Sequence, residues 1–360
     1  MPPKLLFDAH LDIAMNALEY NRDQRWSLER IRRRELTIRD GEPCRGRNTV
    51  CFPELRRGRV GICVATQIAR FADYFSRLSG WSSPEQAWAH TQGQLAYYRI
   101  MEEIGEMRQI RTVADLDAQA ALWLGEPPAD APIGFLLSLE GADSILNWRI
   151  LERSYADGLR ALGPTHYGPG IHGMGTDALG PLTPRGRELL REMERLGIIL
   201  DVTHLSDESF WDALSHFSGP VWASHSNCRT LVNWNRQLTD EQIRALIDRG
   251  AVIGMAFDAI MMVQGWRHKQ SRPEEFGLRI EKIIDHIDHI CQLAGNARHV
   301  GLGSDLDGMF GTEQTPMDLD SIADLAKLDP LLAARGYAPA DIDGILHGNF
   351  LRFLRQHLPS

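Results

Sequence analysis

Short apolar runs rich in β-branched residues recur along the chain, and between them lie stretches whose apolar positions follow a helical period. That alternation predicts a parallel sheet with crossover helices. Eight strands are expected, at 5–10, 60–68, 133–140, 158–165, 197–204, 220–225, 251–257 and 299–305. Helices are expected at 83–108, 184–196, 207–217, 239–249 and 273–293, with Asp207 and Thr239 as N-caps because acidic first-turn residues follow each. Eight strands joined in this way predict an α/β protein with a (β/α)8 TIM-barrel fold, in which functional residues gather at the C-terminal ends of the strands. An open, doubly wound sheet is the competing arrangement. No internal repeat or Gly/Ser linker divides the chain, so residues 1–360 read as a single barrel domain with a helical extension over about 318–358.

The strand ends carry the candidate chemistry. Asp8-Ala9-His10-Leu11-Asp12 closes the first apolar run, and in extended backbone its three polar side chains share one side. Four further runs end in a histidine or an acid, at Glu140, His204, His225 and Asp305. An open sheet would not bring the first, third, fifth, sixth and eighth strands to one point, whereas a barrel does. Buried imidazoles and carboxylates are costly unless something compensates them, and a metal would. Five ligands exceed one tetrahedral ion but suit two zinc ions per chain, with His10 and Asp12 on the first, His204 and His225 on the second, and Glu140 bridging. His90, His216, His268, His286, His289, His299 and His357 lie in helical or linking segments and read as structural.

Two excursions interrupt the alternation. The first, 22–59, holds 12 arginines interspersed with acids, which reads as a solvated, salt-bridged face placed to roof the barrel mouth. The second, 166–175, is dense in glycine and reads either as a mobile cover or as ordinary turns.

Composition narrows the class. With 43% hydrophobic and 24% charged residues in 360, the chain reads as a soluble globular protein, and a net charge of −9 disfavours nucleic acid as a partner. Five cysteines, odd in number and without a C-x-x-C pair, argue against a disulfide framework and against a thiolate metal site. The first apolar run meets Asp8 too early for a signal peptide, and the apolar stretch 251–266 is interrupted by Asp258 and too short for a bilayer. A cytoplasmic location with no membrane partner is therefore expected.

Taken in order, Asp8-Ala9-His10-Leu11-Asp12, Ser138-Leu139-Glu140-Gly141, Thr165-His166, Leu200-Asp201-Val202-Thr203-His204, Ser224-His225-Ser226-Asn227 and Gly301-Leu302-Gly303-Ser304-Asp305-Leu306-Asp307-Gly308 span nearly the whole chain. The set resembles the membrane dipeptidase (renal dipeptidase) family of zinc metallopeptidases, which have an amidohydrolase-like barrel. The resemblance implies a metal-dependent hydrolase that cleaves free dipeptides, L,L and L,D, by a water bridging two metals, with the same five ligands as above. It further implies that His166 contacts the substrate near the developing oxyanion, that Asp305 is the catalytic acid/base, and that Arg236 grips the substrate carboxylate, with Arg229 as a competitor. Animal members of the family are secreted, disulfide-linked and lipid-anchored. This chain shows no leader or anchor signal, so the membrane association is not expected to transfer. The expected partner is a small dipeptide, and a homodimer is left open.

Two rivals remain at this stage. One is a related binuclear barrel hydrolase acting on a cyclic amide, lactone or phosphoester. The other is a non-catalytic metal-binding barrel, which should lack an acid where Asp305 stands. No G-x-S-x-G elbow or Cys-His signature argues for a covalent nucleophile.

Overall fold

The longest apolar runs become strands covered on both faces, as a parallel sheet with crossover helices requires. Every residue of β1 (Leu6–Leu11) is buried, and β2 (Val60–Ile68) is buried up to its last residue. The computed structural model describes residues 4–72 and 80–360. The other strands are β3 (Met107–Gln109), β4 (Ile133–Glu140), β5 (Leu159–Gly163), β6 (Ile199–Asp201), β7 (Val221–Trp222), β8 (Ile253–Met255) and β9 (Val300–Leu302).

All pairings are parallel, in the order β7-β6-β5-β4-β2-β1-β9-β8. The two ends of that path meet where Ala223 bridges Ile253 and the Gly254 N–H donates to the Ala223 carbonyl at 2.8 Å. An eight-stranded barrel results, and the open sheet is excluded. Closure depends on missing side chains: a Cβ on Gly254 or Gly303 would lie 1.9 or 1.8 Å from the Ser224 carbonyl oxygen.

Several local expectations need correction. A ninth strand, β3, pairs with the first three residues of β4, on the edge that β5 takes over from Leu137. The helix starting at Asp207 (Asp207–His216) is capped by Ser206, whose side chain accepts from the Ser209 N–H, so Asp207 is its first residue rather than its cap. Thr239 is the cap expected, in a reciprocal capping box with Gln242. The segment expected as one helix at 273–293 is two 3-10 turns, Pro273–Phe276 and Ile280–Lys282, followed by the helix Ile283–Ala294. Gly277 takes a left-handed φ of 56° and ends the first turn.

The excursion 22–59 contributes the helices Leu28–Glu35 and Phe52–Arg57. Most of its arginines pair with nearby acids, for example Arg25 with Asp23 and Arg45 with Asp40. Arg22 departs from the expected solvated face: it is 1% exposed and bonded to Glu35 and Asn16. After Ile322–Lys327, the C-terminal extension runs through Leu328–Arg335, Pro339–Asp343 and Asn349–His357. It packs on the barrel wall, where Phe350 stacks on Phe7 of β1 with ring centroids 5.1 Å apart.

Candidate metal centre and substrate cavity

Each proposed ligand projects from the C-terminal end of a barrel strand. His10 lies in the last turns of extended chain in β1, Asp12 just beyond it, and Glu140 is the final residue of β4. His204, His225 and Asp305 each stand three residues past the ends of β6, β7 and β9. Two of these positions are conformationally unusual. His204 has φ 68° and Asp305 φ 58°, left-handed backbone that a non-glycine residue adopts only when its surroundings enforce it.

The side chains converge. Glu140 Oε1 lies 3.1 Å from His204 Nε2 and 3.3 Å from His225 Nε2, while Glu140 Oε2 lies 3.6 Å from His10 Nε2. His10 Nε2 is also 3.7 Å from Asp12 Oδ2 and 3.8 Å from Asp305 Oδ1. Three sets have ligand atoms within 4.8 Å of one another: His10, Asp12 and Glu140; Glu140, His204 and His225; and His10, His225 and Asp305. The first two sets share Glu140, as a bridging carboxylate requires. The third adds Asp305 beside the ligands.

Hydroxyls behind the imidazoles aim them. Thr176 Oγ1 is 3.0 Å from His204 Nδ1, Ser224 Oγ is 2.8 Å from His225 Nδ1, and Thr66 Oγ1 is 3.4 Å from His10 Nδ1. Each ring thereby has a hydroxyl partner at Nδ1, leaving Nε2 for the cluster, the arrangement found behind metal-ligating histidines. Asp8 is not a ligand. Its Oδ1 accepts from the backbone N–H groups of His10 and Ser304 and ties β1 to the chain after β9.

Without a cation the cluster is electrostatically incomplete. Burial raises Glu140 to about 7 and Asp305 well above the carboxylate range. Burial opposes charge on His10, but Glu140, Asp12 and Asp305 outweigh it and draw the imidazole up to about 10. Burial, with His10 and Arg236 nearby, pushes His225 well below its ordinary value, and His204 shifts the same way. His10 Nε2, Asp12 Oδ1 and Glu140 Oε1 are buried with no hydrogen-bond partner. Buried polar atoms are rarely left so. Nitrogen and carboxylate oxygen donors in this number fit divalent ions such as zinc.

The cluster floors a cavity of about 430 Å³, within the range of small-molecule sites. His166 lies on its wall, its ring 4.4 Å from that of His204. Burial and the neighbouring Arg70 and Arg236 keep His166 neutral, well below its ordinary pKa. Arg236 also lines the cavity, 4% exposed, and among the described residues it donates to the Ser226 hydroxyl at 3.2 Å and the His225 carbonyl at 2.8 Å. No carboxylate of the described residues lies within 4.0 Å of it to form an ion pair. Arg229 is spent elsewhere: both its terminal nitrogens bond Asp207 at 2.7 Å, outside the cavity.

Sequence reasoning passed over Arg70, Trp234, Asp258, His268 and Lys269, all on the cavity wall. Asp258 follows the strand-end rule that found the other acids, three residues past β8. His268, expected to be structural, is one of the wall residues, with Nδ1 3.2 Å from Gln314 Oε1. Only Glu42 from the 22–59 excursion reaches the cavity, so that stretch flanks the mouth rather than roofing it. The 166–175 loop folds back on itself through bridges between Tyr167 and Thr176 and between Pro169 and Met174, and Asp143 Oδ1 accepts from the Ile171 N–H. Gly175 permits a close backbone approach there, since a Cβ on it would lie 1.8 Å from the His166 carbonyl oxygen, and Gly168 takes a left-handed φ of 73°.

The model of the membrane dipeptidase family (Peptidase family M19) matches residues 3–358. The chain is 33% identical over 265 residues to an uncharacterized protein in the pqqA 5' region of Klebsiella pneumoniae, covering 71% of this chain and 91% of that one. It is 30% identical over 205 residues to dipeptidase tcpJ of Claviceps purpurea, covering 56% of this chain and 41% of that one. Among solved structures it resembles dipeptidase AC, a metallopeptidase, with a TM-score of 0.80, 22% identity and coverage of 99% and 100% of the two chains. It also resembles a metallopeptidase from Rhodobacter sphaeroides liganded with a phosphinate mimic of L-Ala-D-Ala, with a TM-score of 0.79, 22% identity and coverage of 99% of each chain.

Proposed function

Since this chain belongs to the membrane dipeptidase family of metallopeptidases, we propose that it hydrolyses the peptide bond of free dipeptides, L,L and L,D, with two zinc ions held by His10, Asp12, Glu140, His204 and His225. The observation that carries the substrate reading is Arg236: a buried guanidinium whose hydrogen-bond partners among the described residues are a hydroxyl and a carbonyl, with no carboxylate in ion-pair contact, facing the cavity beside the proposed ligands. A charge so placed is costly unless an anion completes it, and a dipeptide's α-carboxylate fits a two-pronged fork. The phosphinate mimic of L-Ala-D-Ala bound to the Rhodobacter sphaeroides protein supports including L,D substrates.

Divalent ions held by these residues would supply a bound water with a pKa lowered toward about 7 and a Lewis acid for the scissile carbonyl. The chain's own residues do the rest. Arg236 fixes the substrate carboxylate and so sets which bond faces the cluster. His166, kept neutral, donates an N–H toward the oxygen on which negative charge develops. Asp305 acts from its carboxylate form: an oxygen takes the proton of the attacking water, held more firmly because burial raises the group's proton affinity, and gives it to the leaving amine. The position of Asp305 beside His10 and His225 also allows it to touch a metal. Asp305→Asn separates the roles: retained metals with lost turnover assign the proton transfer, and a lost metal assigns a ligand. The whole reading is tested by hydrolysis of a dipeptide panel by zinc-loaded protein; cleavage of lactams or lactones with no dipeptide cleavage overturns it.

A further inference from the structure

The arginine-rich excursion has a part in the site that its surface ion pairs do not explain. Asn16, 2% exposed in the helix that follows Asp12, donates from Nδ2 to two carbonyls, Asp12 at 3.0 Å and Asp307 at 2.9 Å. It therefore ties the segment bearing Asp12 to the segment bearing Asp305. The amide's remaining atom, Oδ1, accepts from Arg22 Nη1 at 2.6 Å. A guanidinium cannot accept a hydrogen bond, so a flipped amide would set NH2 against donors and oxygen against two carbonyls. Arg22 thus fixes the only orientation in which Asn16 joins the two segments.

Arg22 is itself locked. Its Nε and Nη2 bond the two Glu35 oxygens at 2.8 and 3.2 Å, Nη2 bonds the Cys44 carbonyl at 3.1 Å, and Nη1 lies 3.5 Å from Asp307 Oδ2. The Asp307 carboxylate accepts from the Thr49 N–H at 2.7 Å, the Thr49 hydroxyl at 2.8 Å and the Val50 N–H at 3.1 Å. Glu35, Cys44, Thr49 and Val50 all come from the excursion. What they hold is strained: Asp305, Asp307 and Met309 have φ of 58°, 65° and 68°, and a Cβ on Gly308 would lie 2.1 Å from Asp305 Oδ1. Such backbone persists only where its surroundings over-determine it.

We propose that Asn16, oriented by Arg22, is a positioning residue that sets the spacing between Asp12 and Asp305, and that the 22–59 excursion serves this clamp. The inference rests on the reading of Asp12 as a metal ligand and Asp305 as the acid/base. It is tested on the full-length zinc-loaded protein with Asn16→Leu, Arg22→Met and Arg22→Lys. Arg56→Met is the control, because Arg56 bonds the Ala131 carbonyl and Glu106, away from the clamp.

Metal affinity by competition with a chelator is read beside kcat, KM and Tm. For Asn16→Leu and Arg22→Met, metal affinity or kcat should fall about 10- to 100-fold, as for other groups behind metal ligands, with KM within about threefold. Arg22→Lys should recover only part of the loss, since an ammonium lacks the fork. Arg56→Met should lower Tm alone. The metal-affinity readout needs no dipeptide turnover, so it stands even if the substrate reading fails. Folded Asn16→Leu and Arg22→Lys proteins with wild-type metal affinity and kcat, or a loss confined to Tm as in Arg56→Met, would overturn the proposal. If Asn16→Leu does not fold, Arg22→Lys alone decides.

Discussion

Arg236 and Arg229 stand seven residues apart, yet their surroundings give them different work. Arg229 has its carboxylate already, in Asp207, whereas among the described residues Arg236 bonds a hydroxyl and a carbonyl. Removing a charge whose partner is the substrate should cost about 2–5 kcal/mol in kcat/KM for a free dipeptide. Arg236→Met should show that loss with the metal content unchanged, and the penalty should largely vanish on an amidated dipeptide. An equal loss on the amide, or a larger one from Arg229→Met, would contradict the role. Asp305→Asn should lower kcat by about 100- to 10,000-fold, the usual worth of a positioned acid/base. Its metal-to-protein ratio, measured on the same sample, should match that of wild type.

At the scale of elements, the barrel closes where backbones come closest. Gly254→Ala would drive a methyl group toward the Ser224 carbonyl, at 1.9 Å before relaxation, and should destabilise the fold by at least about 1–3 kcal/mol, visible as a lowered Tm in thermal unfolding. Unchanged stability would mean the closing edge is looser than described. The long runs that became β2 and β4 were legible in sequence because both faces are apolar and burial leaves no alternative. β3 was not: it is three residues long, with Arg108 exposed at its centre. The helix Val113–Leu124 was passed over although Thr112 and Asp115 spell a capping box. The five proposed ligands were readable because each sits at or just past a strand end, a position that barrel geometry assigns to the mouth. Choosing between Arg236 and Arg229 needed the fold, since the choice turns on where Asp207 points. Arg22 was hidden for a similar reason: among 12 arginines in 22–59, nothing in composition distinguishes the one that is buried.

Across the whole molecule, the cluster of buried histidines and carboxylates should couple stability to pH and to any ion it binds. In metal-free protein His10 is drawn above its unfolded value of 6.5 to about 10, so the folded state binds more protons than the unfolded state in that window. Stability should therefore fall as pH rises from about 6.5 toward 10, and Tm in the presence of a chelator should follow. Zinc should raise Tm and reduce this fall, because the ion takes the deprotonated ligand. A metal-free Tm that climbs over the same range would contradict the protonation assigned to His10. No helix of the described residues is long and apolar enough to cross a membrane.

The most direct test titrates zinc into chelator-stripped protein while following cleavage of L-Ala-L-Ala and L-Ala-D-Ala. Activity should be absent at the start and should rise to a plateau at about two ions per chain, as a shared-water site requires. Full activity in the stripped protein, a plateau at about one ion, or intact dipeptides at saturating zinc would contradict a two-metal dipeptidase.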